Sequence, residues 1–199
     1  MSYLVLFLII LLFVTLPSLW VQRTMKKYST PSDRYPYSGK EFSKKLLAAL
    51  NLDKVDVEST EIGDHYDPQS KTVRLTADKM ESSSLTAIVV AAHEVGHAHQ
   101  HSTSYLPFRL RTILVKTMGP AQRFGALILM AAPVVTLITR LPGPGIIMLI
   151  GGFLTMGMST LVHFVTLPTE WNASFSRALP MLEKGGILKE GDDVFAREI

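Results

Sequence analysis

His93-Glu94-Val95-Gly96-His97 sets two imidazoles four residues apart, with a carboxylate directly after the first. On an α-helix such positions stand one above the other, so both rings can reach one metal ion from the same face. Glu94 then lies where it can take the proton of a water on that metal. The flanks support a helix: Ser82-Ser83-Ser84 offers a start, Leu85 to Ala92 contains neither Gly nor Pro, and the next proline is Pro107. An apolar approach of this kind is unlike the surroundings of two solvated histidines on a surface helix. The chain has no cysteine, so any metal must be held by His, carboxylate or water.

A mean hydropathy of +0.24 and 47% hydrophobic residues are high for a soluble domain of 199 residues and point to the membrane. Three runs are candidate membrane spans, the second of them short and containing Pro133. Tyr3 to Trp20 is uncharged and has neither a basic start nor a small-residue cleavage site, so it reads as an anchor. Phe124 to Thr139 and Pro144 to Leu167 form a second and third span around the turn Arg140-Leu141-Pro142-Gly143. The third is rich in small residues (Gly151, Gly152, Gly157, Ser159), which permits close helix packing. Basic residues follow the first span (Arg23, Lys26, Lys27), precede the second (Arg109, Arg111, Lys116, Arg123) and follow the third (Arg177, Lys184), with only Arg140 in the turn between. The positive-inside rule then predicts an external N-terminus and turn, with the remainder cytoplasmic. The net charge of +3 is modest, and no nucleic-acid partner is expected.

Between the first span and the metal helix lies a small polar region. Ser38 and Glu41 form a capping box for a helix whose inner face would be Phe42, Leu46, Ala49 and Leu50. Val55 and Val57 mark a short strand. A hairpin follows: Ile62 to Asp67, the turn Pro68-Gln69-Ser70-Lys71, then Thr72 to Thr76 with Val73 and Leu75 pointing one way. An exposed edge of that sheet could pair with an extended peptide or serve only as packing support. Phe108 to Lys116 alternates basic and apolar residues at helical spacing and reads as a helix on the membrane surface.

A catalytic zinc usually keeps three protein ligands. Glu170, in Leu167-Pro168-Thr169-Glu170-Trp171-Asn172-Ala173-Ser174, emerges at the membrane surface on the side of the metal helix and is the best-placed carboxylate. Thr169 could cap a new helix there, with Glu170, Ser174 and Arg177 on one face; the alternative for Glu170 is a first-turn residue that complements the helix dipole. His65 and Tyr66 could donate to an oxyanion or belong to the turn chemistry around Asp67-Pro68. His163, near the cytoplasmic end of the third span, could act at the site or bond a backbone carbonyl. Arg177 could bind a substrate carboxylate or orient Glu170. His101 extends the His93/His97 face as a supporting or surface residue, and His99 reads as solvated.

Three segments give the chain a family resemblance: Asp64-His65-Tyr66-Asp67-Pro68, Ala92-His93-Glu94-Val95-Gly96-His97-Ala98-His99-Gln100-His101, and Leu167 to Ser174. In that order they resemble the YugP-type neutral zinc metallopeptidases of bacterial membranes. The resemblance implies a membrane-bound peptidase with His93 and His97 as ligands and Glu94 as acid/base. More distantly the layout is similar to HtpX-type membrane peptidases, where a glutamate beyond a membrane hairpin completes the site. Those place an aspartate four residues after that glutamate, where this chain has Ser174.

The fold expected is a mainly α membrane protein, with a zincin-like HExxH helix, a small β-sheet and about three transmembrane helices. Its parts would be an anchor over 1–22, a cytoplasmic zincin-like domain over 23–122, a transmembrane hairpin over 123–168 and a C-terminal helical segment over 169–199 that carries the third ligand. The activity expected is that of a Zn2+ metalloendopeptidase of the bacterial inner membrane, with its active site at the cytoplasmic face and peptides or membrane proteins as substrates. Two other readings remain: a zinc-binding membrane scaffold that does not cut, and an exported peptidase whose first segment is removed. The sequence leaves substrate identity and oligomeric state open.

Overall fold

The computed structural model describes residues 2–199. Along the chain run α1 (Ser2–Lys27), α2 (Gly39–Ala49), β1 (Asp56–Thr60), β2 (His65–Asp67), β3 (Thr72–Thr76), α3 (Ala77–Glu81), α4 (Leu85–Ser102), α5 (Leu106–Thr139) and α6 (Pro142–Trp171). A π-helix (Asn172–Ala178), α7 (Leu179–Lys184) and α8 (Asp192–Ala196) complete it. The fold is mainly helical with one three-stranded sheet. It divides into two compact units: one holds the chain up to Ser102 together with Ala173–Ile199, the other Thr103–Asn172.

The first unit is built around α4. Ser84 caps this helix by accepting from the Ala87 amide at 3.2 Å. Leu85, Ala87, Ile88, Ala91, Ala92 and Val95 are all buried, so α4 is the central helix of its unit. α2 packs against it behind the expected capping box, in which Ser38 Oγ accepts from the Glu41 amide and Glu41 Oε2 accepts from the Ser38 amide. Its inner face is Phe42, Ser43, Leu46 and Leu47; Ala49 is exposed and Leu50 only half-buried. Two i,i+4 pairs, 42/46 and 43/47, set that face; Ala49, two turns on from Phe42, stands at its edge as the last residue of the helix and stays exposed.

In the sheet β3 lies between β1, which it pairs in parallel, and β2, which it pairs antiparallel. Val73 and Leu75 are fully buried, as their alternation predicts. The hairpin turn is held by Asp67, which accepts from the Gln69 amide at 2.8 Å and from Ser70 Oγ at 2.9 Å. β2 starts at His65, not at Ile62, which is 87% exposed. Gly63, at φ 104°, turns the chain away, and Asp64 uses its side chain where a ladder bond would stand, accepting from the Thr76 amide at 2.7 Å.

α1 and α5 are long and apolar enough to cross a membrane, by length and composition. In the second unit α5 and α6 form a hairpin through Arg140, which takes a left-handed conformation at φ 55°. Gly125 faces Thr155, Gly152 faces Leu129 and Gly145 faces Thr136, each so closely that a Cβ would collide. These pairs step in opposite directions along the two helices, so glycine sets an antiparallel seam. Gly151 and Gly157 face open space, and the side chain of Ser159 lies outside the described residues.

Two expected breaks are absent. α5 runs unbroken from Leu106 through Pro120 and Pro133, joining the expected surface helix to the expected span. Both stretches share one helical period, and a proline in a long apolar helix costs one hydrogen bond without ending it. At the other end α6 continues through Pro168 to Trp171, and Thr169 Oγ1 donates back to the Val165 carbonyl, so Thr169 caps no new helix.

Candidate metal centre

His93 and His97 stand on successive turns of α4, with ring centroids 4.7 Å apart and planes 85° to one another. Glu94 is 6% exposed and His97 5%, so both groups are largely shielded from bulk water. Each ring is held through Nδ1. His97 Nδ1 lies 3.0 Å from Oε1 of the fully buried Gln100, and His93 Nδ1 lies 3.0 Å from Ser174 Oγ in the π-helix. An amide oxygen can only accept, so His97 carries its proton on Nδ1 and its lone pair on Nε2. A serine hydroxyl accepts equally well and allows His93 the same tautomer. Metal-binding histidines are commonly held this way, one nitrogen anchored by an oxygen and the other given to the ion. The pair therefore fits a divalent metal of the zinc type.

Gly96 explains how the π-helix comes so near. A Cβ at this position would lie 2.9 Å from the Ala173 carbonyl oxygen, a backbone atom that cannot swing aside. Glycine inside the motif thus lets the backbone carrying Ser174 pack onto the metal turn. The π-helix widens the coil locally, and such segments recur at functional sites.

Beside these residues lies a cavity of about 600 Å³ bordered by His93, Glu94, Ser174 and Asp64. Asp64 is charge-balanced by Lys79 Nζ at 2.9 Å. The sequence pointed to its neighbours instead. His65 Nδ1 donates to the Gly63 carbonyl at 2.8 Å, and Tyr66 Oη lies 2.9 Å from His101 Nδ1, two turns along α4 from His93. Burial, then the charge of Asp67, raises the Tyr66 hydroxyl to about 12. Burial, then Lys71, lowers the proton affinity of His101, so Tyr66 and His101 meet as neutral groups. His99 is half-buried, not solvated; burial and then the positive Arg177 lower its proton affinity. Arg177 itself is half-buried on the π-helix.

In the second unit Glu170 lies on the last turn of α6, four residues before Ser174, with its Oε1 3.3 Å from Arg111 Nη2 of α5. His163 is exposed on α6, two turns earlier. Sequence reasoning missed Gln100 as a partner of His97, although its offset of three residues was a usable signal.

Residues 3–199 match the family described as "Putative neutral zinc metallopeptidase", and the chain belongs to that family. It is 31% identical over 183 residues to "Putative membrane protease YugP" of Bacillus subtilis (strain 168), an alignment covering 88% of this chain and 77% of that protein. No solved structure matches.

Proposed function

We propose that this protein is a membrane-embedded zinc metallopeptidase that hydrolyses peptide bonds at the cytoplasmic membrane face. The observation that carries the reading is the pair of Nδ1-anchored imidazoles next to a buried carboxylate at a cavity wall. Zinc, when bound, would polarise the scissile carbonyl and acidify a water. The rest falls to the chain. His93 and His97 offer Nε2, and Glu170 is the third ligand, bringing the donor set to the number a catalytic site usually keeps. Glu94 accepts the proton of the attacking water and returns it to the departing amine. Membrane embedding is supported by the lengths of α1 and α5 and by the relative's name as a membrane protease. The excess of basic residues on one side of the three apolar runs supports the cytoplasmic orientation.

Glu94→Gln tests the reaction. It preserves shape and removes the proton acceptor, so the detergent-solubilised variant should keep its zinc while peptide cleavage falls by roughly 10²–10⁴-fold. Cleavage at the wild-type rate would remove Glu94 from the mechanism. Full zinc occupancy in a wild-type protein that cuts no peptide would favour the scaffold reading.

A further inference from the structure

The second unit carries five basic residues, Arg109, Arg111, Lys116, Arg123 and Arg140, against a single acidic one, Glu170. Arg111 is the partner of that carboxylate at 3.3 Å. Arg109, Lys116 and Arg123 are exposed on α5 at intervals of seven residues, which drift by only about 20° per step, so they form one column along the helix. Beside Arg123 a groove of about 400 Å³ runs over Gly119, Pro120, Phe124 and Leu127. Gly119 has no side chain to fill it, and the exposed Phe124 and Leu127 give it an apolar floor.

The hairpin register gives this column its depth. Gly125 opposite Thr155, Gly145 opposite Thr136 and Arg111 opposite Glu170 keep one antiparallel alignment, which sets Arg123 beside Gly157 and Lys116 beside Val165. The apolar run of α6 from Pro144 to Leu167 is about 36 Å long at 1.5 Å per residue, roughly 6 Å more than a bilayer core. With its start at the outer boundary, its inner boundary falls near His163, level with Met118 of α5. Lys116 then stands at the headgroups, Arg123 about 8 Å inside, within reach of a snorkelling guanidinium, and Arg109 about 14 Å outside.

We propose, building on the reading of this protein as membrane-embedded, that Lys116, Arg123 and the groove beside them bind an anionic phospholipid of the cytoplasmic leaflet. Both cations meet its phosphate, and an acyl chain lies over Phe124 and Leu127. A cation at this depth needs a counter-charge, and α5 and α6 offer no carboxylate besides Glu170, so the lipid supplies it. Lipid is favoured over a soluble anion because the groove continues toward the apolar half of α5.

The test reconstitutes the full chain in phosphatidylcholine vesicles holding a trace of spin-labelled phosphatidylglycerol or phosphatidylcholine. Electron paramagnetic resonance reads the immobilised fraction of each label. The protein should hold phosphatidylglycerol roughly 5–25-fold more strongly than phosphatidylcholine, about fivefold for each basic residue at the headgroups. Arg123→Gln and Lys116→Gln should each lower that ratio by about fivefold. Arg109→Gln removes the same charge from the same column, but beyond a Debye length from the boundary, and should leave the ratio nearly unchanged. Glycerol phosphate in solution should not displace the labelled lipid; displacement would point to a free-anion site and overturn the lipid assignment. Equal retention of both lipids by the wild type, or an equal loss in all three variants, would overturn the site and leave the column to an acidic protein partner or to net charge alone. Either result leaves the membrane reading intact while the protein stays with the vesicles through a carbonate wash; release by that wash would overturn both.

Discussion

A carbonyl oxygen accepts hydrogen bonds and never donates, and in Gln100 this property fixes the tautomer of His97. Ser174 holds His93 from a different element, so the two imidazoles are oriented by independent supports. Ser174→Ala should therefore weaken zinc binding by about 10–100-fold while the protein stays folded, measured by competition with a zinc-binding dye. Unchanged affinity would mean that the serine does not orient the ring. Gly96→Ala should do similar damage from the opposite side: its new methyl meets the Ala173 carbonyl, and relieving that contact costs about 1–3 kcal/mol in a thermal melt and moves Ser174 away. The motif itself was legible, because five adjacent residues carry their chemistry in their spacing. In the sequence Ser174 marks a helix face shared with Glu170 and Arg177 and the place where an aspartate is missing, but not a partner for His93. Its partner lies far away in sequence, and nothing local marks the contact.

At the scale of elements, α8 forms part of the cavity border although it is only five residues long. It is fastened by Asp192, which is buried and receives Arg34 Nε at 2.7 Å, Arg34 Nη2 at 2.6 Å and the Tyr35 hydroxyl. Tyr28 adds a ring stack on Phe195 at 5.0 Å and a hydrogen bond to Glu198 at 2.8 Å. Burial alone would raise the Asp192 pKa, but the hydrogen bonds from Arg34 and Tyr35 outweigh it, and the net shift is downward. A carboxylate with a depressed folded-state pKa contributes stability above its unfolded value, near 3.9, and loses it as pH falls through the folded one. Hydrogen exchange over 192–199 should thus stay slow at neutral pH and quicken only below about pH 4. Asp192→Asn should show fast exchange there already at pH 7; protection equal to wild type would show that the stack on Tyr28 suffices. Capped α2 and the Val73/Leu75 strand were legible because a cap and a period of two are local signals. The unbroken α5 and the π-helix were not, since prolines inside apolar helices look like ends and a π-turn has no spacing of its own in the sequence.

For the whole molecule the decisive quantity is charge placement along the chain. The second unit leaves the first after Ser102 and rejoins it at Ala173, so both junctions must lie on one side of a bilayer if α5 and α6 cross it as a hairpin. Lys26 and Lys27 end α1, Arg109, Arg111, Lys116 and Arg123 lie on the first half of α5, and Arg140 alone occupies the turn. A reporter fused near Pro142 should accordingly be external and one fused near Asp64 cytoplasmic. Asp64 found outside would favour the exported alternative. The same arrangement gives Glu170 its importance. It sits one turn before Ser174, at the point where the chain passes from α6 into the π-helix that holds His93. Two imidazoles alone make a weak site for zinc, so Glu170→Ala should lower zinc content sharply after dialysis against a mild chelator, whereas Arg111→Ala, which removes its ion-pair partner, should leave most of the metal bound. Metal analysis giving full occupancy in Glu170→Ala would return this residue to the role of a surface partner for Arg111, and the third ligand would have to be sought elsewhere.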